Sequence, residues 1–221
     1  MIEQLYILPI LLFSVIIHEI AHGWMALRLG DTTARDMGRL TLNPIPHIDP
    51  VGSILIPLFS LAVAGRVFIA WAKPVPVNPA NFSQYRRDDI LVSVVGPISN
   101  IFIALVCTVI YIVIQKLDPG VDHANQLVND TFTFFLKMFH GGIILNVVLA
   151  VFNLIPVPPL DGSHVVASLL PAELSVRYRR LGFAGIFIVL LLVRWQPFAS
   201  LFTYVITTLL FPFEMMIRFF A

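Results

Sequence analysis

A histidine pair near the N-terminus has the spacing of a metal site. His18 and His22 stand at either end of the run HEIAH, with Glu19 beside the first of them. On a helix, residues four positions apart lie on one face with Cβ atoms about 5–6 Å apart, so both imidazoles can reach one metal ion at about 2.0–2.1 Å. Glu19 is turned only modestly from that face and can accept a proton from a water that the metal activates. The run therefore predicts metal-assisted hydrolysis.

The segment that carries this run is long and apolar enough to cross a membrane. Leu5–Leu29 exceeds the roughly 20 residues that a spanning helix needs. In a soluble protein the same short motif could lie on a solvated face by chance. At mid-membrane an unpaired charged residue costs at least about 2.5–3.5 kcal/mol, and a metal ion supplies the missing partner. At about 1.5 Å per residue, His18 lies about 20 Å into a core about 30 Å thick.

The composition places the whole chain in the membrane class. Of its 221 residues, 58% are hydrophobic and 12% are charged, whereas soluble domains are about half apolar and about a quarter charged. Two further apolar runs, Ile90–Ile114 and Phe132–Pro156, are also of spanning length. We expect an all-α polytopic membrane protein of about five to six membrane segments, forming a single domain over residues 1–221. The net charge of +1 gives no reason to expect nucleic acid as a partner.

Two regions depart from a simple series of spanning helices. Residues 51–64 are apolar but too few to span, which is typical of a re-entrant or interfacial segment. Residues 66–79 are rich in β-branched and aromatic residues and contain three prolines, which favours an irregular edge strand. We therefore expect a re-entrant element with a small β-sheet at about 51–80. Gly182–Val193 and Phe198–Phe213 predict a final hairpin of short or tilted spans.

The distribution of basic residues predicts how the chain is threaded. The segment after the first run contains Arg28, Arg35 and Arg39, which the positive-inside rule places in the cytoplasm. The loop at 117–131 is acidic and has no basic residue, and three arginines follow the third run at 177–180. The first and third runs therefore cross in the same direction. The histidine pair lies nearer the cytoplasmic face.

A third metal ligand is expected at the end of the third run. Catalytic zinc usually takes three protein ligands and one water. Asp161 follows a proline-rich stretch at 156–159 that cannot continue a helix. Irregular backbone at membrane depth is tolerated only where it is buried in protein or lines a wet cavity. Alone, this stretch could be an ordinary turn after a helix, but together with the histidine pair it predicts that Asp161 completes the site.

These motifs closely resemble those of the site-2 protease family of intramembrane metalloproteases. HEIAH at 18–22 and NLIPVPPLDG at 153–162 occur in this order, both on membrane segments. LNPIPHIDPVG at 42–52, KPVPVNP at 73–79 and GPISN at 96–100 extend the resemblance over most of the chain. The chain resembles a compact member, since it has no stretch long or polar enough for a PDZ domain.

The resemblance implies one Zn²⁺ ion per chain, bound by His18, His22 and Asp161, with Glu19 as the general base. It also implies that Asn153 helps to stabilise the oxyanion, a role that suits an amide donor in a dry site. An interhelical hydrogen bond is an equally open role for Asn153. The implied substrates are membrane proteins, bound in extended form and cut within or next to their transmembrane segments.

Two other functions share part of this pattern. A polytopic transporter or channel with a structural or transported metal gives Glu19 no special role and predicts inverted halves, which the sequence does not display. A prenyl-protein endopeptidase would share the histidine motif but would not explain Asp161 in its proline-rich setting. The small size favours a prokaryotic plasma membrane as the location.

Overall fold

Helices account for most of the computed structural model, which describes residues 6–55, 59, 72–118, 121 and 124–220. The helices of these ranges are, in chain order, α1 (Ile7–Arg28), α2 (Thr33–Asp36), α3 (Tyr85–Leu117), α4 (Gln126–Asn153), α5 (Asp161–Leu169), α6 (Ala172–Arg179), α7 (Gly185–Arg194) and α8 (Gln196–Phe220). Short helical turns occur at Ile45–His47, Pro50–Leu55, Pro79–Asn81 and Gly182–Ala184. A hydrocarbon environment favours this outcome, because a helix satisfies its backbone hydrogen bonds internally.

Four of the described helices, α1, α3, α4 and α8, are long and apolar enough to cross a membrane. The helix α7 is apolar but shorter, at 10 residues. The prediction of a polytopic all-α membrane protein is therefore confirmed in its helical character, and the expected five to six segments are matched only in part. The chain is an integral membrane protein.

The predicted β-sheet at 66–79 is not supported. No β-strand occurs in the ranges that the structure describes, and residues 72–78 have no regular secondary structure. Pro74 and Pro76 lack the N–H groups that a regular ladder requires. Residues 60–71, which include the rest of the predicted strand, lie outside the described residues. Of the predicted re-entrant segment, Pro50–Leu55 forms a π-helical turn, and residues 56–58 and 60–64 also lie outside them.

The helices α1 and α3 run in opposite directions. His18 of α1 is hydrogen-bonded to Asn100 of α3. His22, one turn later in α1, is bonded to Val92, which lies two turns before Asn100 in α3. The last part of α1 therefore lies beside the first part of α3, and residues that are far apart in the sequence meet there.

The helices α1 and α4 run in the same direction, as the sequence predicts for the first and third runs. Ile10 of α1 packs on Gly142 of α4. One turn further along both helices, Ser14 of α1 is bonded to Asn146 of α4. The end of α4 is therefore on the same side of the bundle as the histidines. An apolar cluster fills the space between α1, α3, α4 and α8 and consists of Ile10, Ile103, Ala104, Cys107, Met138, Ile143, Val147 and Phe213.

Candidate metal centre

Three side chains from α1 and α5 converge on one point. The Nε2 atoms of His18 and His22 are 3.1 Å apart. Asp161 places Oδ2 3.1 Å from Nε2 of His18 and Oδ1 3.4 Å from Nε2 of His22. Ligands about 2.0–2.1 Å from a tetrahedral zinc ion lie about 3.3–3.4 Å from one another. The three residues that the sequence predicts as ligands therefore have the mutual spacing of a zinc site.

The second nitrogen of each imidazole is held by α3. Nδ1 of His22 lies 2.6 Å from the backbone oxygen of Val92, and Nδ1 of His18 lies 2.6 Å from Oδ1 of Asn100. An oxygen that can only accept requires each Nδ1 to carry the proton. Each Nε2 then presents a lone pair, as a metal ligand must.

The chemistry of the cluster fits a cation. With both Nδ1 atoms protonated, the two neutral imidazoles and the carboxylate of Asp161 all direct acceptor atoms at one another. Oδ2 of Asp161 is buried and has no hydrogen-bond donor among the described residues. An unpaired buried acceptor costs free energy, and a divalent cation would satisfy all three groups. Two histidines and one carboxylate form a donor set typical of catalytic zinc.

A break between two helices positions Asp161. The helix α4 ends at Asn153, and α5 begins at Asp161 itself, so the carboxylate is in the first turn of a new helix. The irregular stretch between them packs closely on α5, because a Cβ on Gly162 would lie only 2.2 Å from the backbone oxygen of Leu154. Only glycine permits this approach, which fixes the start of α5 against the end of α4.

A buried carboxylate at the start of α3 fixes the other end of α5. Asp89 is 4% exposed and accepts hydrogen bonds from Arg179 at 2.7 Å and from Ser168 at 2.8 Å. Nδ1 of His164 lies 3.2 Å from its other oxygen. Asp89 thereby joins α3, α5 and α6, and it holds the helix that carries Asp161. The cluster is not evident from the sequence, because its members are up to 90 positions apart.

The glycine of the GPISN run lies directly against the two imidazole rings. A Cβ on Gly96 would lie 2.5 Å from Cε1 and Nε2 of His22 and 2.7 Å from Cε1 of His18. No real side chain is tolerated at such distances, so Gly96 makes room for the two rings. No role for this glycine was evident from the sequence. Its helical context gave no signal of what faces it.

The carboxylate of Glu19 is held by the irregular segment at 72–78. The backbone N–H of Val75 donates to Oε2 of Glu19 at 2.7 Å. This segment is itself fastened by Arg39, which is 6% exposed and whose Nη2 donates to the backbone oxygens of Lys73 at 2.8 Å and Pro74 at 3.2 Å. The orientation of the predicted base therefore depends on a stretch of chain that crosses beside α1.

The far end of the same segment is anchored by Asp31. Its carboxylate accepts from the backbone N–H of Asn78 at 2.7 Å and from the amide of Asn81 at 2.7 Å, as well as from Thr33. Burial alone would raise the pKa of Asp31, but these hydrogen bonds outweigh it and hold the pKa below its ordinary value. The ionised carboxylate therefore fixes the segment to the loop after α1.

Asn153 is the last residue of α4 and lies close in sequence to the break before Asp161. Its Nδ2 donates to the backbone oxygen of Leu149 in the same helix, at 3.0 Å. This is a local bond within one helix rather than the interhelical bond considered from the sequence. The role of Asn153 in stabilising an oxyanion stays a prediction.

Known proteins with similar sequences identify the family of this chain. The chain matches the sequence profile of Peptidase family M50 over residues 6–193. It is 36% identical to the Bacillus subtilis (strain 168) protein named "Putative zinc metalloprotease YwhC" over 195 residues, which cover 88% of this chain and 82% of that protein.

Two mycobacterial proteins are also similar. Both are named "Putative zinc metalloprotease Rip2", one from Mycolicibacterium smegmatis and one from Mycobacterium tuberculosis (strain H37Rv), and each is 30% identical over 151 residues. The match covers 68% of this chain and 52% of each relative, so this chain matches about half of their length. No solved structure is significantly similar. Because one family profile extends from α1 to α7, the protein belongs to peptidase family M50 and is an intramembrane zinc metalloprotease of the site-2 protease type.

Proposed function

We propose that this enzyme binds one zinc ion through His18, His22 and Asp161 and uses Glu19 as the general base in peptide hydrolysis. The observation that carries the proposal is the convergence of three acceptor atoms, with the Nδ1 atom of each imidazole already engaged by α3. Membership of a metalloprotease family favours hydrolysis over transport of a metal, and transport would give Glu19 no special task.

The zinc ion and the protein side chains have different roles in the proposed reaction. Zinc held by these residues supplies Lewis acidity, which polarises a carbonyl group and lowers the pKa of water. Glu19 accepts the proton of the attacking water and later delivers it to the nitrogen that leaves when the peptide C–N bond breaks. The N–H of Val75 orients one carboxylate oxygen of Glu19, so the other oxygen is the one that we assign to proton transfer. Asn153 is proposed to donate to the oxyanion.

The direct test is metal-dependent cleavage in a bilayer. Purified enzyme in proteoliposomes with a set of single-span membrane proteins is expected to cut at least one of them within or beside its span. Treatment with 1,10-phenanthroline is expected to abolish cleavage, and added zinc is expected to restore it, as measured by gel mobility and mass spectrometry of the fragments. The non-chelating isomer 1,7-phenanthroline is the control. Cleavage that persists in metal-free protein would contradict a zinc mechanism.

We further propose that the substrate is bound in an extended form beside the segment at 66–79. A peptide bond inside a helix is hydrogen-bonded and crowded, whereas an extended chain exposes its carbonyl and N–H groups to pairing with another extended segment. The N–H groups of Lys73, Val75 and Asn78 already have partners within the protein. These three N–H groups are therefore not the ones proposed to pair with substrate.

The anchoring of this segment by Arg39 provides a specific test. Arg39→Ala removes two hydrogen bonds from the carbonyls that precede Val75, so Glu19 loses its fixed orientation. A displacement of about 1 Å at a reacting group can cost about 10²-fold in rate, and we expect a loss of about 10–100-fold in kcat/KM with zinc content unchanged. Arg35→Ala is the matched control, since Arg35 is an exposed arginine of the preceding short helix, α2. Equal rates for the two variants would contradict this role.

The proposed position of the site is within a prokaryotic plasma membrane, nearer its cytoplasmic face. The histidines are in the last part of α1, which ends at Arg28, and the loop that follows is basic. Trp24 is half-exposed and lies under the guanidinium of Arg28 at 4.3 Å. Aromatic and basic residues together are typical of a membrane interface, which supports a site within about two turns of that interface.

A further inference from the structure

Three buried polar side chains lead away from His18 into the bundle. Asn100 of α3, Asn146 of α4 and Ser14 of α1 are each 0% exposed. Asn100 lies 2.6 Å from the ring of His18, and its other end donates to Asn146 at 2.9 Å. Asn146 in turn donates to Ser14 at 2.9 Å. A connected chain of hydrogen bonds therefore joins three helices to one imidazole.

A backbone carbonyl determines which group donates and which accepts along this series of hydrogen bonds. Asn146 also donates from Nδ2 to the oxygen of Gly142 at 2.9 Å. A carbonyl can only accept, so the atom of Asn146 that faces it must be the amide nitrogen, and Oδ1 must face Asn100. Oδ1 of Asn146 needs a donor, so the amide nitrogen of Asn100 must face Asn146. The amide oxygen of Asn100 then faces His18.

The consequence is a single possible tautomer for the neutral ring of His18. An amide oxygen facing Nδ1 requires Nδ1 to carry the proton, and the neutral ring then has its lone pair on Nε2. With the amide of Asn100 reversed, an N–H group would face Nδ1, and the proton would move to Nε2, where a metal must bind. The orientation of Asn146, remote from the ring, therefore determines whether His18 can be a ligand.

We infer that Asn100 and Asn146 are positioning residues that hold His18 in the tautomer able to bind zinc. This inference rests on the proposed role of His18 as a ligand. Polar pairs between membrane helices also serve simply to hold helices together. A purely structural role predicts lower folding stability in a variant, with no change in the zinc affinity of the protein that remains folded.

The test measures zinc affinity by competition with a chromophoric chelator in detergent-purified protein. Asn146→Leu, which leaves every atom near His18 in place but removes the group that orients Asn100, is expected to weaken zinc binding measurably, by no more than the roughly 10–100-fold that loss of a direct outer partner usually costs. Thr108→Val is the matched control. Thr108 is equally buried on α3, and within the described part of the chain its hydroxyl bonds only to the oxygen of Ala104 in its own helix, so its loss is expected to leave zinc affinity unchanged.

A second pair of variants covers the case in which Asn146→Leu does not fold. Asn100→Asp keeps an oxygen towards Nδ1 of His18 and is expected to retain most of the zinc affinity, whereas Asn100→Leu is expected to lose about 10–100-fold. The visible absorption of the Co²⁺-substituted protein is expected to change in Asn100→Leu and to stay near that of wild type in Asn100→Asp. These readouts report on the metal site rather than on helix association.

The outcomes separate this inference from the function on which it rests. Equal zinc affinity in wild type, Asn146→Leu and Asn100→Leu, with His18→Ala much weaker, would overturn the positioning role and leave His18 as a ligand. Unchanged affinity in His18→Ala, or no zinc in wild type, would overturn the proposed ligand set itself.

Discussion

Glu19→Gln is expected to keep one zinc ion per chain and to lose cleavage by about 10²–10⁴-fold, the usual contribution of a general base. Glutamine has the same shape, and its side-chain oxygen can still accept from the N–H of Val75, so the local geometry should be retained. Its amide cannot take up a proton. Zinc content by mass spectrometry and the rate of substrate cleavage, measured on the same preparation, check both parts of the prediction.

The control for this variant is another glutamate changed in the same way. Glu173 is exposed on α6, and Glu173→Gln is expected to retain both zinc and activity. A Glu19→Gln enzyme that cuts at a rate near that of wild type would contradict the assignment of the base. A variant that also lost its zinc would show that Glu19 acts on the ligand geometry instead.

Asp161→Ala is expected to lose its zinc during a brief chelator wash that leaves wild type with about one ion per chain. The change removes one of three ligands and leaves two imidazole nitrogens 3.1 Å apart with no anion beside them. Loss of an outer partner alone typically costs about 10–100-fold in affinity, and loss of a direct ligand should cost more than 100-fold. Cleavage is expected to fall below detection.

An aspartate far from the site provides the comparison. Asp36 of α2 is exposed, with its side chain 56% accessible, and Asp36→Ala is expected to retain zinc as wild type does. Zinc binding that is indifferent to Asp161 would contradict a site shared between α1 and α5. In that case the ligands would have to be sought elsewhere in the chain.

Local spacing made the histidine pair easy to predict, because residues at i and i+4 share a helix face in any helix. Asp161 required two further steps. One was the interruption of the third run by prolines, and the other was the shared direction of the first and third runs. The structure brings the three side chains together, with an irregular stretch at 154–160 after α4 and a new helix that begins at Asp161.

The surroundings of the histidines could not be predicted in the same way. Gly96 and Asn100 face the rings only because α3 is rotated and placed so that these residues point at α1. That rotation depends on packing over the whole of both helices. The local pattern around Gly96 predicts a helix with a proline, but it contains no information about which neighbour that helix will face.

The incorrect strand prediction has a related cause. Residues 72–78 are rich in valine and proline, which favours an extended chain, and the chain there is indeed not helical. Its backbone groups are satisfied by the side chains of Glu19, Asp31 and Arg39 instead of a neighbouring strand. These partners are 34–56 positions away in the sequence. A sequence pattern that favours an extended chain therefore cannot tell whether distant side chains or a neighbouring strand will bind its backbone groups.

The last helix is longer than the sequence predicted. The helix α8 extends over Gln196–Phe220, whereas only Phe198–Phe213 was expected. Pro197 lies in its first turn, where the absent N–H is not needed, and Pro212 is within the helix. Membrane helices tolerate such prolines because neighbouring groups compensate for the lost bond. Treating Pro197 as a boundary therefore moved the predicted start by two residues, whereas most of the added length lies after Phe213, at 214–220.

The division of the metal site between α1 and α5 has a consequence for the synthesis of the protein. A nascent chain that has been inserted only as far as α4 contains both histidines and the base, but it lacks Asp161. It also lacks the contacts from Ser168 and Arg179 that hold α5 to α3. The enzyme is therefore expected to stay without metal and inactive until the part of the chain from α5 onward has been added and has packed against α3.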